Sequence, residues 1–148
     1  MFRIFVLLAF IFKVAAATWV GDDITGVWYN QEKDAKIRIL SLNGKYVGRI
    51  EWLKIPNDPE TGKPKVDKKN PKAEYRSHPV LGLAILSNLV FDADDQEWTD
   101  GNIYDPKSGN TYSLTCKLKD KNTMELRGYI GFSLLGRTDI WTRDTEAK

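Results

Sequence analysis

Chemistry in this 148-residue chain has to come from a short inventory: one His, one Cys, scattered carboxylates and a few conspicuous arginines. A nucleophilic pair needs Cys116 or a serine in hydrogen-bond contact with His78. His78 stands beside Pro79 in a proline-rich stretch, where it is expected to be solvated. Cys116 alternates in phase with Leu114 and Leu118, which predicts a small core side chain. A reactive thiol would need an electropositive, partly exposed setting. A zinc site would need more His or Cys than the chain holds, and no glycine-rich phosphate loop is present. Carboxylates remain. Glu97 and Asp100 flank Trp98, with Asp105 further on, and paired carboxylates beside an aromatic are what glycoside hydrolysis uses. A hydrated turn is the plainer reading of those acids. The expectation is a protein that is not an enzyme and carries no cofactor and no metal, with a carboxylate-based hydrolase as an alternative.

The arginines Arg76, Arg127, Arg137 and Arg143 suit a different task. A guanidinium grips a carboxylate with two parallel donors, so any of them would orient an anionic head group. Their structural alternative is pairing with Asp105, Asp139 or backbone carbonyls.

The elements that would position these groups are strands. Asp105-Pro106-Lys107-Ser108-Gly109 is a turn, with Pro106 presetting one corner and Gly109 free to turn left-handed. If Asp105 pairs with Asn110, then Ile103 faces Tyr112, Gly101 faces Leu114 and Thr99 faces Cys116. If Leu118 pairs with Met124, Cys116 meets Leu126, Leu114 meets Gly128 and Tyr112 meets Ile130. The result is a three-stranded meander, apolar on one face and polar on the other. Asn43-Gly44 marks another hairpin. It sets Tyr46, Gly48, Ile50 and Trp52 against Ser41, Ile39, Ile37 and Ala35, with Lys36 opposite Glu51 and Arg38 opposite Arg49. The apolar run Val80 to Phe91 predicts a strand over Leu81–Leu86 and a turn at Ser87-Asn88. A last strand runs from Arg137 to Arg143. About eight strands joined mostly by tight hairpins predict an all-β fold, a single antiparallel up-and-down barrel. From Lys54 to Pro79 five prolines and many charges exclude a strand or a long helix. This long loop is expected to cover an end or edge of the barrel.

Residues 1–17 read as a secretory signal: a basic start, an apolar run from Ile4 to Phe12 and a small-residue exit at Ala15-Ala16-Ala17. The run is shorter than the ~20 residues that span a bilayer. Residues 18–148 are then one domain in the periplasm or outside the cell, with no transmembrane segment after signal cleavage. Removing Arg3 and Lys13 from the 22 basic residues leaves a balance with the 20 acidic ones. A nucleic-acid partner would need a surviving basic excess. One cysteine allows no internal disulfide, so the domain must be held by its core.

Gly26-Val27-Trp28 is similar to the G-x-W signature of lipocalins and other calycins. In those barrels the Trp lies at the closed end beneath an Arg of the last strand, which matches Arg143 here. In order along the chain stand Gly48-Arg49-Ile50-Glu51-Trp52-Leu53, Asp67-Lys68-Lys69-Asn70-Pro71, Arg76 with Pro79-Val80-Leu81-Gly82-Leu83, Gly101 to Pro106, Gly109 to Tyr112, Leu126 to Gly131, and Gly136-Arg137-Thr138 with Trp141-Thr142-Arg143. Together they closely resemble the bacterial family called domain of unknown function 2147, over nearly all of residues 18–148. The resemblance implies an exported bacterial protein with a lipocalin-like barrel and no established activity. His78 departs from the pattern, standing where a second basic residue is expected.

A barrel of this size either fills with side chains or holds one small ligand. Gly48, Gly101 and Gly128 on inner faces would open a pocket or permit sharp bends. The functional expectation is a binder of a small, largely apolar ligand, carrying a carboxylate that one Arg orients. Trp28, Tyr46, Ile50, Trp52, Ile103, Tyr112, Leu114 and Leu126 would line the interior. The alternative is a filled barrel that binds an envelope protein through Phe132, Leu134 and Leu135.

Overall fold

The computed structural model describes residues 16–129 and 137–148. Eight strands follow in order: β1 (Gly26–Tyr29), β2 (Ala35–Leu42), β3 (Lys45–Leu53), β4 (Ala84–Asp92), β5 (Glu97–Asp105), β6 (Asn110–Asp120), β7 (Thr123–Tyr129) and β8 (Arg137–Arg143). Each pairs antiparallel with the next, and β8 pairs with β1, closing the barrel. Closure satisfies every strand edge without a partner chain. The expected signal segment and the loop holding Phe132, Leu134 and Leu135 lie outside the described residues, apart from Ala16 and Ala17.

The hairpins follow their turn chemistry. Asn43 and Gly44 both take positive φ, 51° and 77°, as a tight two-residue turn requires. Asp105 pairs with Asn110, Ile103 with Tyr112 and Gly101 with Leu114. Leu118 pairs with Met124, Cys116 with Leu126 and Leu114 with Gly128. The expected pairing of Tyr112 with Ile130 lies outside the described residues.

Three departures from simple alternation share one cause: an extra residue that turns its neighbours over. In β5 the pairing slips between Trp98 and Gly101, and Asp100 sits at φ 59°. Cys116 therefore faces Trp98, not Thr99, and the Trp98 ring is fully buried. In β3 the slip falls beside Ile50 and Glu51. Ile37 still meets Ile50, but Ala35 now meets Leu53 and Lys36 meets Trp52. Trp52, expected to line the interior, is thus on the outer face and 38% exposed. There its ring meets Tyr29 edge-on at 6.3 Å, with the Lys36 ammonium over both rings. Glu51 then bonds Arg38 rather than Lys36, and Lys36 reaches Asp144 at 2.7 Å. The third extra residue is Asn88, at φ 62° inside β4. The expected turn at Ser87-Asn88 is a bulge within a strand that runs on to Asp92, and Leu81 belongs to the preceding loop.

The segment from Lys54 to Leu83 is a fixed strap, held by isolated pairings of Asn57 with Pro64 and Val66 with Pro79. Its Gly82 and Leu83 bond the backbone of Ile50 in β3, and its Asp67 bonds Tyr104 of β5. Alternation puts Ile85 and Tyr104 on the outer face, yet Ile85 is buried, as is Val80 of the strap. Asp67 fastens the strap. Its carboxylate is fully buried and accepts from the Tyr104 hydroxyl at 2.7 Å and from Asn70 Nδ2 at 2.8 Å. A Cβ at Gly109 would stand 2.1 Å from the Lys69 carbonyl, so only glycine lets the β5–β6 turn meet the strap.

Candidate functional site

One end of the barrel is plugged. The 3-10 turn Gly21–Ile24 crosses it, and three side chains from inside the barrel bond to its backbone or side chains. Trp28 Nε1–H donates to the Ile24 carbonyl at 2.9 Å and Trp98 Nε1–H to Gly21 at 3.0 Å. The Tyr46 hydroxyl donates to Asp22 at 2.9 Å. Burial, then this carboxylate, pushes the Tyr46 phenol up to about 12. Arg143 lies over the Trp28 ring, 4.1 Å from its centre. It donates to the carbonyls of Asp23 at 2.7 Å, Thr25 at 2.5 Å and Lys121 at 2.7 Å. Burial pulls its guanidinium below its usual value, with Asp23 opposing. Trp28, Tyr46 and Arg143 are therefore consumed in closing the base.

The middle is filled. A Cβ at Gly48 would stand 2.9 Å from Leu86 and 3.0 Å from Ile37, and one at Gly101 would stand 2.5 Å from Leu89. Both glycines exist because neighbours already occupy their space. Cys116 is fully buried here, and burial drives its thiol far up, out of nucleophilic range.

The other end differs. Among the described residues a Cβ at Gly128 would meet Tyr112 at 3.7 Å and the Arg137 carbonyl at 3.9 Å, ordinary contact distances. Ile103, Tyr112 and Gly128 face inward yet stay partly exposed. Ile50, Leu114 and Leu126 lie below them, buried. The fourth wall is β8, whose inner face is polar. Arg137 pairs with Gly128, Asp139 with Leu126 and Trp141 with Met124, so all three share the inner face. Arg137 Nε–H donates to Asp139 at 2.7 Å and Nη2–H to Glu32 of the β1–β2 loop at 2.7 Å. The Asp139 carboxylate holds the Arg137 guanidinium above its usual value. Asp139 keeps 25% side-chain exposure, whereas its partner Leu126 is buried. Trp141 is buried, and its Nε1–H has no acceptor among the described residues. Outside this cup are two depressions: about 390 Å³ on the outer face around Asp100, and about 360 Å³ beside the plug.

The remaining groups do not converge. Arg76 binds the carbonyl of Asn70 within the strap. Arg127 is on the outer face, over the Tyr129 ring and bonded to Thr138. Glu97 pairs with Lys117 at 3.1 Å, and Asp105 accepts from Lys107 N–H and the Ser108 hydroxyl in its own turn. At ~3.3 Å per strand residue Asp105 stands about 26 Å from Glu97, and Asp100 lies exposed at the β5 bulge, while Glu97 is taken by Lys117. His78 is exposed against Tyr75 in the strap, while Cys116 is in the core. Among the described residues no three His, Cys, Asp or Glu side chains are placed to hold a metal ion. None of the described helices is long and apolar enough to cross a membrane.

Sequence reasoning missed the β8 wall. Its signal was present: Arg137, Asp139, Trp141 and Arg143 alternate with Thr138, Ile140 and Thr142, the reverse of an apolar-in strand.

The family model described as "Uncharacterized protein conserved in bacteria (DUF2147)" matches residues 26–143. The chain belongs to this family. Its first matched residue is the glycine beside Arg143, and its last is Arg143 itself. No curated protein matches the chain. Among solved structures it is similar to protein HP1028 from Helicobacter pylori, described as belonging to the lipocalin family. The two are 23% identical, with a TM-score of 0.68, over 82% of this chain and 83% of the other. The DUF2147 chain is thus an eight-stranded closed barrel of lipocalin-like fold.

Proposed function

We propose that this DUF2147 protein is a non-catalytic binder of a small, largely apolar ligand held in the open half of its barrel. The observation that carries this reading is the contrast among the inner glycines. Two are crowded by neighbours at 2.5–3.0 Å, whereas a Cβ at the third, Gly128, would among the described residues meet its neighbours only at 3.7 Å and beyond. The apolar wall would supply most of the affinity, at roughly 25 cal/mol per Å² buried, and the polar wall would set orientation. Of the four arginines, Arg137 alone stands at the mouth on the inner face. We further propose that residues 1–17 are removed on export and that the domain works in the periplasm or outside the cell.

Native mass spectrometry of protein purified from its own host tests the binding reading. A retained small molecule, released on unfolding, supports it. Protein that is empty, and whose Trp fluorescence is unchanged by a panel of lipids and small aromatics, overturns it.

A further inference from the structure

The inner face of β8 specifies the polar end of the ligand, an inference that rests on the binding reading above. We propose that the ligand presents a neutral group that both accepts and donates a hydrogen bond, an amide or a hydroxyl, to Trp141 and Asp139. A carboxylate, the head group the arginines imply from sequence, is disfavoured there.

The argument has two parts. The first is the Trp141 indole. Its N–H is buried in the barrel interior with no protein acceptor among the described residues. The two interior indoles of the plug, Trp28 and Trp98, each donate to a carbonyl. An unmade hydrogen bond at a buried donor is costly, so a third indole without a partner marks the place where an external acceptor completes the core. The second part is charge. Arg137 is not a spare cation: it already holds Asp139 and Glu32, both at 2.7 Å. One positive charge faces two negative ones, so this cluster carries a net negative charge. An entering carboxylate would meet that charge and would have to displace Asp139 or Glu32 from Arg137. Asp139 keeps acceptor capacity, because a carboxylate accepts about four hydrogen bonds and Arg137 uses one of them here. It therefore calls for a donor. Trp141, two residues deeper on the same strand face, calls for an acceptor. One amide or hydroxyl answers both without bringing charge.

The test uses four probes with one eight-carbon chain: octanamide, octan-1-ol, octanoate and octylamine. They are titrated into the mature protein and followed by ¹H–¹⁵N NMR. The chain has five Trp residues, and Trp141→Phe assigns the Trp141 indole peak. Octanamide and octan-1-ol should bind about tenfold tighter than octanoate, the weight of one net hydrogen bond or more. Both should move the Trp141 indole proton downfield. Trp141→Phe should lower octanamide affinity by a similar factor while leaving the melting temperature of the free protein unchanged or higher. Asp139→Asn should narrow the gap between octanamide and octanoate. If octanoate or octylamine binds as tightly as octanamide, or if the Trp141 peak stays still on binding, the neutral-head inference fails and the binding reading stands. If none of the four binds, and the host-purified protein is empty, both fail together.

Discussion

Gly26 should resist a side chain strongly, because two independent demands meet there. Its φ is +124°, a backbone state that L-residues rarely adopt. A Cβ would also stand 2.6 Å from Arg143 Nη1. A flexible arginine tip would ordinarily move aside. Here it is pinned by the carbonyls of Asp23, Thr25 and Lys121 and lies on the Trp28 ring. Gly26→Ala therefore adds strain of about 1–3 kcal/mol and costs at least one charge-assisted hydrogen bond, about 2 kcal/mol. The sum, about 3–5 kcal/mol, is a large part of the 5–15 kcal/mol that typically holds a domain together. At roughly 3–5 °C per kcal/mol for this chain length, the melting temperature should fall by about 10–20 °C.

Gly62→Ala is the internal control. Its φ is +68°, and nothing lies within 4 Å of the added Cβ. It should cost only the left-handed backbone penalty, about 1–2 kcal/mol. The assay is thermal or urea unfolding followed by Trp fluorescence. Repeating Gly26→Ala in an Arg143→Met background separates the two causes, since the steric part should vanish and leave a cost close to that of Gly62→Ala. If Gly26→Ala costs no more than Gly62→Ala in the native background, the plug does not need glycine there, and this account of the G-x-W motif is wrong.

Two further expectations concern the other aromatics. Trp98→Ala should cost about 3–5 kcal/mol, as expected for a large buried ring, and it also strands the Gly21 carbonyl; Trp52→Ala, on the outer face, should cost about 1 kcal/mol, the weight of its ring and cation contacts. Equal losses in urea unfolding would mean that the bulges have been placed wrongly. At alkaline pH the two raised phenols, Tyr46 and Tyr104, should erode stability, because the unfolded chain loses those protons near 10 and the fold holds them to about 12. Their contribution is complete below pH 10 and is lost as pH rises through that window. Tyr46→Phe should flatten part of the decline in melting temperature between pH 10 and 12, and an unchanged slope would show that its phenol is not held as described.

The architecture was legible because it rests on local signals that no tertiary contact overrides. Asn43-Gly44 and Asp105 to Gly109 fix two turns. The two-residue period of Leu114, Cys116 and Leu118 fixes a face, and the registers of β5–β6 and β6–β7 follow by counting. Counting fails where one strand holds a residue its partner lacks. Asn88 and Asp100 sit at positive φ, and Asn and Asp tolerate that backbone. Both residue types are equally at home in turns, so Ser87-Asn88 carries the signature of a turn as much as of a bulge. The Glu51 slip has no residue signature at all. Its consequence is nonetheless large: every side chain beyond it changes face, which put Trp52 outside and Leu53 in.

The site was less legible because its deciding property is a mismatch between neighbours rather than a motif. Gly48, Gly101 and Gly128 look alike in sequence. What separates them is how closely side chains of the neighbouring strands crowd them. Leu86 and Ile37 fill the space over the first, and Leu89 fills the space over the second. The arginines posed the same difficulty. Residue type made four of them equal candidates, and position made them unequal. Arg143 is spent on three carbonyls, Arg76 holds the strap and Arg127 lies outside. Arg137 stands at the mouth but arrives already neutralised by Asp139 and Glu32. The inward alternation of Arg137, Asp139, Trp141 and Arg143 was present in the sequence. Its meaning appears only once closure against β1 fixes which face is inside. One polar strand then borders an otherwise apolar barrel. Its deepest charge, Arg143, seals the base. Above it on the same face the buried Trp141 N–H has no acceptor among the described residues.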